Sequence, residues 1–344
     1  MTSLARGFDA EAIVVGAGPA GSAVAALLAE AGHRVLLLDK AAFPRHKACS
    51  EYVNPAGVRC LERLGVLDAA WRLGGSRIEA MEVVAPGGAA FAIDYARSAP
   101  GQVALGLSRW RLDHLLLRHA AAAGAEVIER AHVRGLVRNG SAACGVEATI
   151  GGARQTLRAP LVIGADGRHS AVTRALGLDR QPPWPRRTGL VAHYCGIAGL
   201  ARGGAMHVGP GGCYAGFAPL EDGLANVAFV SPATSVAARP GALEDYFEAG
   251  MAAIPGVADR LRGAERIGAI RGVGSMAHRA RRSAGDGWLL VGDAAWFLDP
   301  FTGDGITEAL LGAVLAAPIA AAALRAGATT AAALAPYPAA RRQA

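Results

Sequence analysis

The stretch VVGAGPAG, residues 14–21, decides the fold, because it sets three glycines in G-x-G-x-x-G spacing between an apolar strand and an alanine-rich helix. Gly16 permits a tight turn, Gly18 lets a pyrophosphate approach the backbone, and Gly21 permits close helix packing. The next apolar run ends in Asp39, a residue type that can bind a ribose hydroxyl pair. The alternative is a glycine turn with a purely structural role. The whole pattern predicts a βαβ unit that binds an adenine dinucleotide, either NAD or FAD.

Two further strand ends carry glycine and aspartate. Within LVIGADGRHS, residues 161–170, an apolar strand ends in Asp166 and Gly167. Within LLVGDAA, residues 289–295, another strand ends in Gly292 and Asp293. Either aspartate alone could be a turn former or a helix cap. Together with the first glycine turn, they offer three polar strand ends to one extended ligand, which favours FAD over NAD.

The stretch GDAAWFLDPFTGDGITEAL, residues 292–310, places aspartates and glycines just before an apolar helix. Glycine permits close backbone approach, and the free N–H groups of a helix start favour electron-rich ligands. The stretch therefore predicts a ligand cradle. The alternative is an ordinary loop in which Asp304 or Thr302 caps the helix.

Composition narrows the class of protein. The chain has 344 residues, is 52% hydrophobic and carries a formal charge of +7 from scattered basic residues, so two lobes are expected and nucleic-acid binding is not. The 5 cysteines show no zinc-type spacing, and neither do the histidines, so no metal site is expected. A reducing, cytoplasmic location fits these cysteines, and no export signal is evident. The apolar run 309–324 is predicted to be a buried helix rather than a stable membrane span, because it is shorter than ~20 residues and contains Pro318.

The pattern of strands and helices predicts an α/β fold with a Rossmann-like, three-layer FAD lobe and an inserted β-sheet-rich substrate lobe. We expect the FAD lobe to consist of residues 1–75, 98–185 and 272–344, and the substrate lobe of residues 76–97 and 186–271.

Taken together, these motifs resemble the class A flavoprotein monooxygenase and geranylgeranyl-reductase superfamily. GAGPAG matches its ADP fingerprint, RWRLD at 109–113 its helix-start arginine, and the 292–306 segment its flavin-ribityl motif. The resemblance implies that Asp293 holds ribityl hydroxyls, that Arg109 lies near the diphosphate, and that the Pro300-to-Gly305 turn meets the pyrimidine edge of the flavin. The predicted FAD site comprises Gly16, Gly18, Pro19, Ala20, Gly21, Asp39, Lys40, Arg109, Asp166, Gly292, Asp293, Pro300, Gly303, Gly305 and Ile306.

The resemblance implies redox chemistry on a largely apolar, electron-rich small molecule. The first expectation is a monooxygenase that uses NADH or NADPH and oxygen through a flavin hydroperoxide. The alternatives are a reductase of isoprenoid-type double bonds, suggested by RHKACSE at 45–51 and TGDGI at 302–306, and a non-catalytic flavin-fold binding protein. Cys49 in that segment is either a group beside the flavin or a small buried hydrophobe. The paired tryptophans of flavin-dependent halogenases are missing, so halogenation is not expected.

Overall fold

The computed structural model describes residues 7–180, 186–201, 203–233, 243–274 and 276–343. The predicted lobe limits at residues 1, 185 and 344 lie outside them.

The described residues form strands that are numbered in chain order. They are β1 (Ala12–Val15), β2 (Val35–Leu38), β3 (Tyr52–Val53), β4 (Ser76–Ile78), β5 (Ala80–Val84), β6 (Ala90–Asp94), β7 (Ala104–Gly106), β8 (Glu126–Ile128), β9 (His132–Asn139), β10 (Ala142–Ile150), β11 (Ala153–Arg158), β12 (Leu161–Gly164), β13 (Asp179–Arg180), β14 (Arg187–Cys195), β15 (Gly203–Val208), β16 (Tyr214–Pro219), β17 (Leu224–Pro232), β18 (Glu265–Val273), β19 (His278–Ala280), β20 (Ala284–Gly285), β21 (Trp288–Leu290) and β22 (Trp296–Phe297).

The α-helices are numbered in the same way. They are α1 (Pro19–Glu30), α2 (Pro55–Arg63), α3 (Leu67–Arg72), α4 (Tyr95–Ser98), α5 (Arg109–Ala122), α6 (Ala171–Ala175), α7 (Leu243–Ala252), α8 (Val257–Leu261), α9 (Gly305–Arg325), α10 (Ala331–Leu334) and α11 (Pro336–Gln343).

The first lobe has three layers. Its central sheet has the strand order β20-β21-β12-β1-β2-β8, and all its neighbours are parallel except β20 and β21. Strands such as AIVV and VLLL are buried along their whole length, because α1, α5 and α9 cover one face and the β9–β11 sheet covers the other. The predicted three-layer α/β lobe is confirmed.

Helix α9 runs along α1 and contains the apolar segment identified in the sequence. Among the described residues it is the one helix whose length and composition would allow it to cross a membrane. In its most apolar window, 61% of the residues are buried inside the protein. The helix therefore supplies core packing to the first lobe.

The second lobe is built on a seven-stranded sheet with the order β18-β14-β17-β16-β15-β5-β6. One face packs on α7 and α8 through residues such as Phe217, Phe229 and Phe247. Because side chains alternate along a strand, residues between these, such as Gly216 and Ala228, lie on the opposite face, which points toward the first lobe. The predicted β-rich second lobe is confirmed.

A small sheet joins the two lobes. Strand β4 begins at Ser76, the predicted start of the inserted lobe, and pairs with β7, which also pairs with β3. The seven-stranded sheet itself takes residues 80–94 and 187–273 from the chain. The connection brings the Cys49 segment and the start of α5 to the same edge of the second lobe.

Candidate active site

A cavity of about 670 Å³ lies between the two lobes. Its walls are the inner face of the seven-stranded sheet, the 47–50 segment, the start of α1 and the turn before α9. Ten of the predicted FAD-site residues line this cavity, namely Gly18, Pro19, Ala20, Arg109, Gly292, Asp293, Pro300, Gly303, Gly305 and Ile306. Cys49 lines it as well.

The glycine turn at the start of α1 closes one end of the cavity. Gly16 has φ +98°, and a Cβ there would lie 2.6 Å from the Ala165 carbonyl oxygen. A Cβ on Gly21 would collide with the carbonyl oxygen of Gly16. At Gly18 the situation differs, because a Cβ would point into open space and meet nothing closer than 3.9 Å. Two of the glycines are therefore required by packing, and Gly18 leaves room for a ligand.

Two guanidinium groups share one carboxylate beside Gly18. Arg109 donates from Nε and Nη2 to the two oxygens of Asp113 at 2.6 and 2.7 Å, and Arg45 Nη1 lies 2.9 Å from Asp113 Oδ2. The Nη2 atoms of both arginines face the position that a Gly18 Cβ would take. The two guanidinium groups and the Asp113 carboxylate together carry a net charge of one positive unit, which suits a diphosphate.

Lys47 adds a further cation to this end of the cavity. Its side chain lines the cavity and is exposed within it. Desolvation by the cavity walls lowers the pKa of the Lys47 ammonium, the Arg109 guanidinium lowers it further, and the Asp293 carboxylate opposes both effects. Lys47 belongs to the RHKACSE segment, but no motif spacing in the sequence identifies it as a cofactor contact.

Five of the predicted cofactor residues do not line the cavity: Gly16, Gly21, Asp39, Lys40 and Asp166. The Asp39 carboxylate accepts hydrogen bonds from the amides of Ala17 and Ala41 at 2.7 and 2.8 Å, so it holds the glycine turn. The Lys40 side chain is exposed.

Asp166 sits behind the cavity wall formed by its neighbours Ala165 and Gly167. Its Oδ2 atom accepts from the Ala171 amide at 2.6 Å at the start of α6, while Oδ1 is buried with no hydrogen-bond partner among the described residues. Burial raises the pKa of this carboxyl. In this structure Asp166 therefore holds the start of α6 and does not line the cavity.

The three aspartates of the 292–310 stretch have three different surroundings. Asp293 lines the cavity. Asp299 accepts from Arg187 Nε at 2.6 Å and from Tyr214 Oη at 3.1 Å, which ties the stretch to the seven-stranded sheet. Asp304 accepts from Asn54 Nδ2 at 2.6 Å and makes no side-chain capping bond to α9.

The glycines of this stretch shape the turn that leads into α9. Gly303 has φ +71°, and a Cβ there would lie 2.8 Å from the ring of Tyr52. Gly305 is the first residue of the helix and lies against the Phe297 ring. The first amides of a helix have no acceptor within it, and they carry partial positive charge. The helix thus presents a positive end to the cavity wall.

Cys49 is held from two sides. Its Sγ accepts from the Glu51 amide at 3.4 Å, and its carbonyl oxygen accepts from Asn226 Nδ2 at 2.9 Å. Cys49 is half-buried and lines the cavity, so it lies beside the space in which a ligand would lie.

Sequence reasoning missed the buried acid beside Cys49. Glu51 is 2% exposed and has φ +56°, in the left-handed region. Its carboxylate accepts from the Arg109 amide at 2.7 Å and from Asn226 Nδ2 at 2.9 Å, and His193 Nε2 lies 2.5 Å away. No motif signals such a group, because its partners lie up to 175 residues away in the chain.

Tyr52 and Tyr95 form a polar point in an otherwise apolar part of the cavity. Their Oη atoms lie 2.5 Å apart, and the rings pack with Ala218 and Met81. Burial raises the pKa of both phenols, so both stay protonated at neutral pH.

The residues present fit FAD. The open space at Gly18 between two guanidinium groups suits the diphosphate, Asp293 can accept from ribityl hydroxyls, and the start of α9 suits the electron-rich edge of a flavin. The known FAD-binding domain family matches residues 9–344. The chain belongs to this family. It is an FAD-dependent oxidoreductase, and the predicted FAD cofactor and superfamily are confirmed.

Two curated relatives align with most of this chain. Digeranylgeranylglycerophospholipid reductase 1 of Methanococcoides burtonii is 30% identical over 91% of this chain and 74% of its own. Menaquinone reductase of Mycolicibacterium smegmatis is 30% identical over 88% of this chain and 74% of its own.

Solved structures share the fold. The myxobacterial chondrochloren halogenase CndH superposes with a TM-score of 0.91 at 26% identity, over 97% of this chain and 79% of its own. A geranylgeranyl bacteriochlorophyll reductase-like protein from Thermoplasma acidophilum superposes with a TM-score of 0.81 at 23% identity, over 97% of this chain and 83% of its own. The second likeness shows the fold alone.

Proposed function

We propose that this protein is an FAD-dependent reductase that saturates carbon–carbon double bonds in an apolar, isoprenoid-type substrate, with NADH or NADPH as the reductant. The observation that carries the proposal is the cavity, in which an apolar sheet face and the Cys49 thiol lie opposite the turn that fits the flavin. The names of the curated relatives support a reductase rather than the monooxygenase that the sequence favoured.

The reaction adds a hydride and a proton across each double bond. Bound FAD, once reduced, supplies the hydride. The apolar sheet face, with residues such as Met206, Val230 and Val273, holds the substrate and excludes water. Cys49 is the proposed proton donor. Its S–H bond breaks as the new C–H bond forms, and solvent returns a proton to the resulting thiolate.

The test uses FAD-loaded protein that is reduced with dithionite without oxygen and given geranylgeraniol or geranylgeranyl diphosphate. Mass spectrometry should find products that have gained two hydrogen atoms per reduced double bond. The Cys49→Ala variant should retain FAD and lose most of this product, whereas Cys60→Ala should not, because Cys60 is buried outside the cavity. Equal amounts of product from the parent and Cys49→Ala would show that Cys49 is not the proton donor.

Oxygen-dependent chemistry is the second candidate. Its support is the close superposition on CndH, an FAD-dependent halogenase. The same apolar cavity suits hydroxylation of an apolar substrate. Product that forms only in air, with an added oxygen atom, would favour this candidate and contradict the reductase.

A further inference from the structure

The inner face of the seven-stranded sheet has small residues at its centre. The pairing registers set Gly216 opposite Ala228 on β17 and opposite Met206 on β15, and Ala218 opposite Asn226. All of these residues line the cavity. The centre of the sheet therefore lies lower than the side chains around it. We call Gly216, Ala218 and Ala228 the cavity floor.

Other glycines on this face are covered by methionine side chains. A Cβ on Gly204 would lie 2.7 Å from Met81 Cε, and one on Gly189 would lie 3.1 Å from Met276 Cε. At Gly216 the nearest atom to such a Cβ is the Ala228 methyl carbon, 4.0 Å away. Gly216 is thus a glycine of this face that has open cavity above it.

Apolar side chains surround Gly216 and Ala228, whereas Asn226 and the Tyr52–Tyr95 pair border Ala218. Met206 lies beside Gly216 on one neighbouring strand, and Val191 lies beyond Ala228 on the other side. Val230 and Tyr214 form the next pair along the strands. The depression at Gly216 is therefore apolar and open toward the cavity.

A depression of this kind distinguishes chains by shape. A straight hydrocarbon chain would pass over it and leave it unfilled, and empty apolar space forfeits dispersion contacts. A methyl branch that projects from the chain would fill it. We propose that Gly216 is a specificity-determining residue, whose missing side chain leaves a subsite for the methyl branch of an isoprenoid chain.

This inference rests on the proposed function for its substrate class, and it makes a claim about binding that does not depend on turnover. Gly216 lies within β16 and lacks a positive φ, so a valine there is compatible with the strand. Its side chain would fill the depression without meeting a protein atom closer than 4.0 Å at Cβ. Gly216→Val therefore blocks the subsite while keeping the fold.

The experiment titrates FAD-loaded protein with two alcohols of equal main-chain length, geranylgeraniol and the straight-chain palmitoleyl alcohol, and follows the flavin absorbance. The parent should bind geranylgeraniol more tightly. Gly216→Val should weaken geranylgeraniol about tenfold, because one methyl group lost from an apolar site costs about fourfold and the displaced chain loses further contacts. The affinity of Gly216→Ala for geranylgeraniol should lie between those of the parent and Gly216→Val. The affinity of the variants for palmitoleyl alcohol should change about twofold or less.

The matched control is Gly135→Val. Gly135 lies in β9, away from the cavity, and a Cβ there would meet only Glu147 Oε2 at 3.9 Å. This variant should bind both alcohols as the parent does. Equal loss of both alcohols in Gly216→Val, or no loss of either, would overturn the subsite. If Gly216→Val changes selectivity but no variant or parent reduces a double bond, the subsite stands and the proposed reaction fails.

Discussion

The Glu51 carboxylate accepts a hydrogen bond from the Arg109 amide at 2.7 Å and also binds Asn226 of the seven-stranded sheet. One buried acid thus joins the start of α5, which carries the diphosphate arginine, to the floor side of the second lobe. Non-glycine residues in the left-handed region are uncommon and cluster at functional sites, and Glu51 is one of them, at φ +56°. The two walls of the cavity are fixed to each other at this residue.

The Glu51–His193 pair should make stability depend on pH. The hydrogen bond and charge of Glu51 raise the pKa of His193 above its ordinary value, although burial and Arg271 oppose this, and Glu221 adds to it. A raised pKa in the folded state means that the stabilisation is fully present below about pH 6.5 and is lost as pH rises through the raised value. The free energy of unfolding, from urea titrations at a series of pH values, should show this loss.

His193→Gln is the control for that measurement, since glutamine can still donate to Glu51 but does not titrate. Its unfolding free energy should lack this component of the pH dependence. If the parent and His193→Gln have parallel stability profiles from pH 6 to 9, the pair does not titrate as described.

Gly18→Val should fold but fail to take up FAD. A Cβ at Gly18 meets no protein atom closer than 3.9 Å, so the fold tolerates it, while the side chain would occupy the space between Arg45 and Arg109 that suits the diphosphate. We expect a melting temperature of the apoprotein within a few degrees of the parent and an FAD affinity at least about tenfold weaker. FAD binding equal to that of the parent would show that the diphosphate lies elsewhere.

Gly303→Ala should lower the midpoint potential of bound FAD. The added methyl group would meet the Tyr52 ring at 2.8 Å and would disfavour the left-handed φ, so the turn would shift the start of α9 away from the flavin. Losing ~1 kcal/mol of stabilisation from the reduced flavin corresponds to roughly 20 mV for two electrons.

Gly327→Ala provides the matched control for the redox titration. Gly327 follows the other end of α9, has φ +62°, and has open space around its Cβ position. Its potential should equal that of the parent despite similar backbone strain. A Gly303→Ala potential that is unchanged or higher at full FAD occupancy would mean that this turn does not stabilise the reduced cofactor.

The sequence predicted the parts of the fold and site that depend on neighbouring residues. The βαβ start follows from the glycine spacing and the apolar runs between Val14 and Asp39, and the family resemblance also needs the RWRLD motif at 109–113 and the 292–306 segment. Glu51, His193 and Asn226 could not be found in this way, because they meet only after the second lobe folds over the first. The depression at Gly216 depends on strand register and on which glycines the Met81 and Met276 side chains cover. A sequence pattern encodes neither.

The most direct test of the reductase proposal is the reoxidation of reduced, FAD-loaded protein under strict anaerobiosis, followed by its visible flavin absorbance. If the protein is such a reductase, geranylgeraniol or geranylgeranyl diphosphate will restore the absorbance of oxidised flavin in proportion to the double bonds that are reduced. A flavin that stays reduced with either compound until air is admitted, and that then yields an oxygenated product, would contradict it.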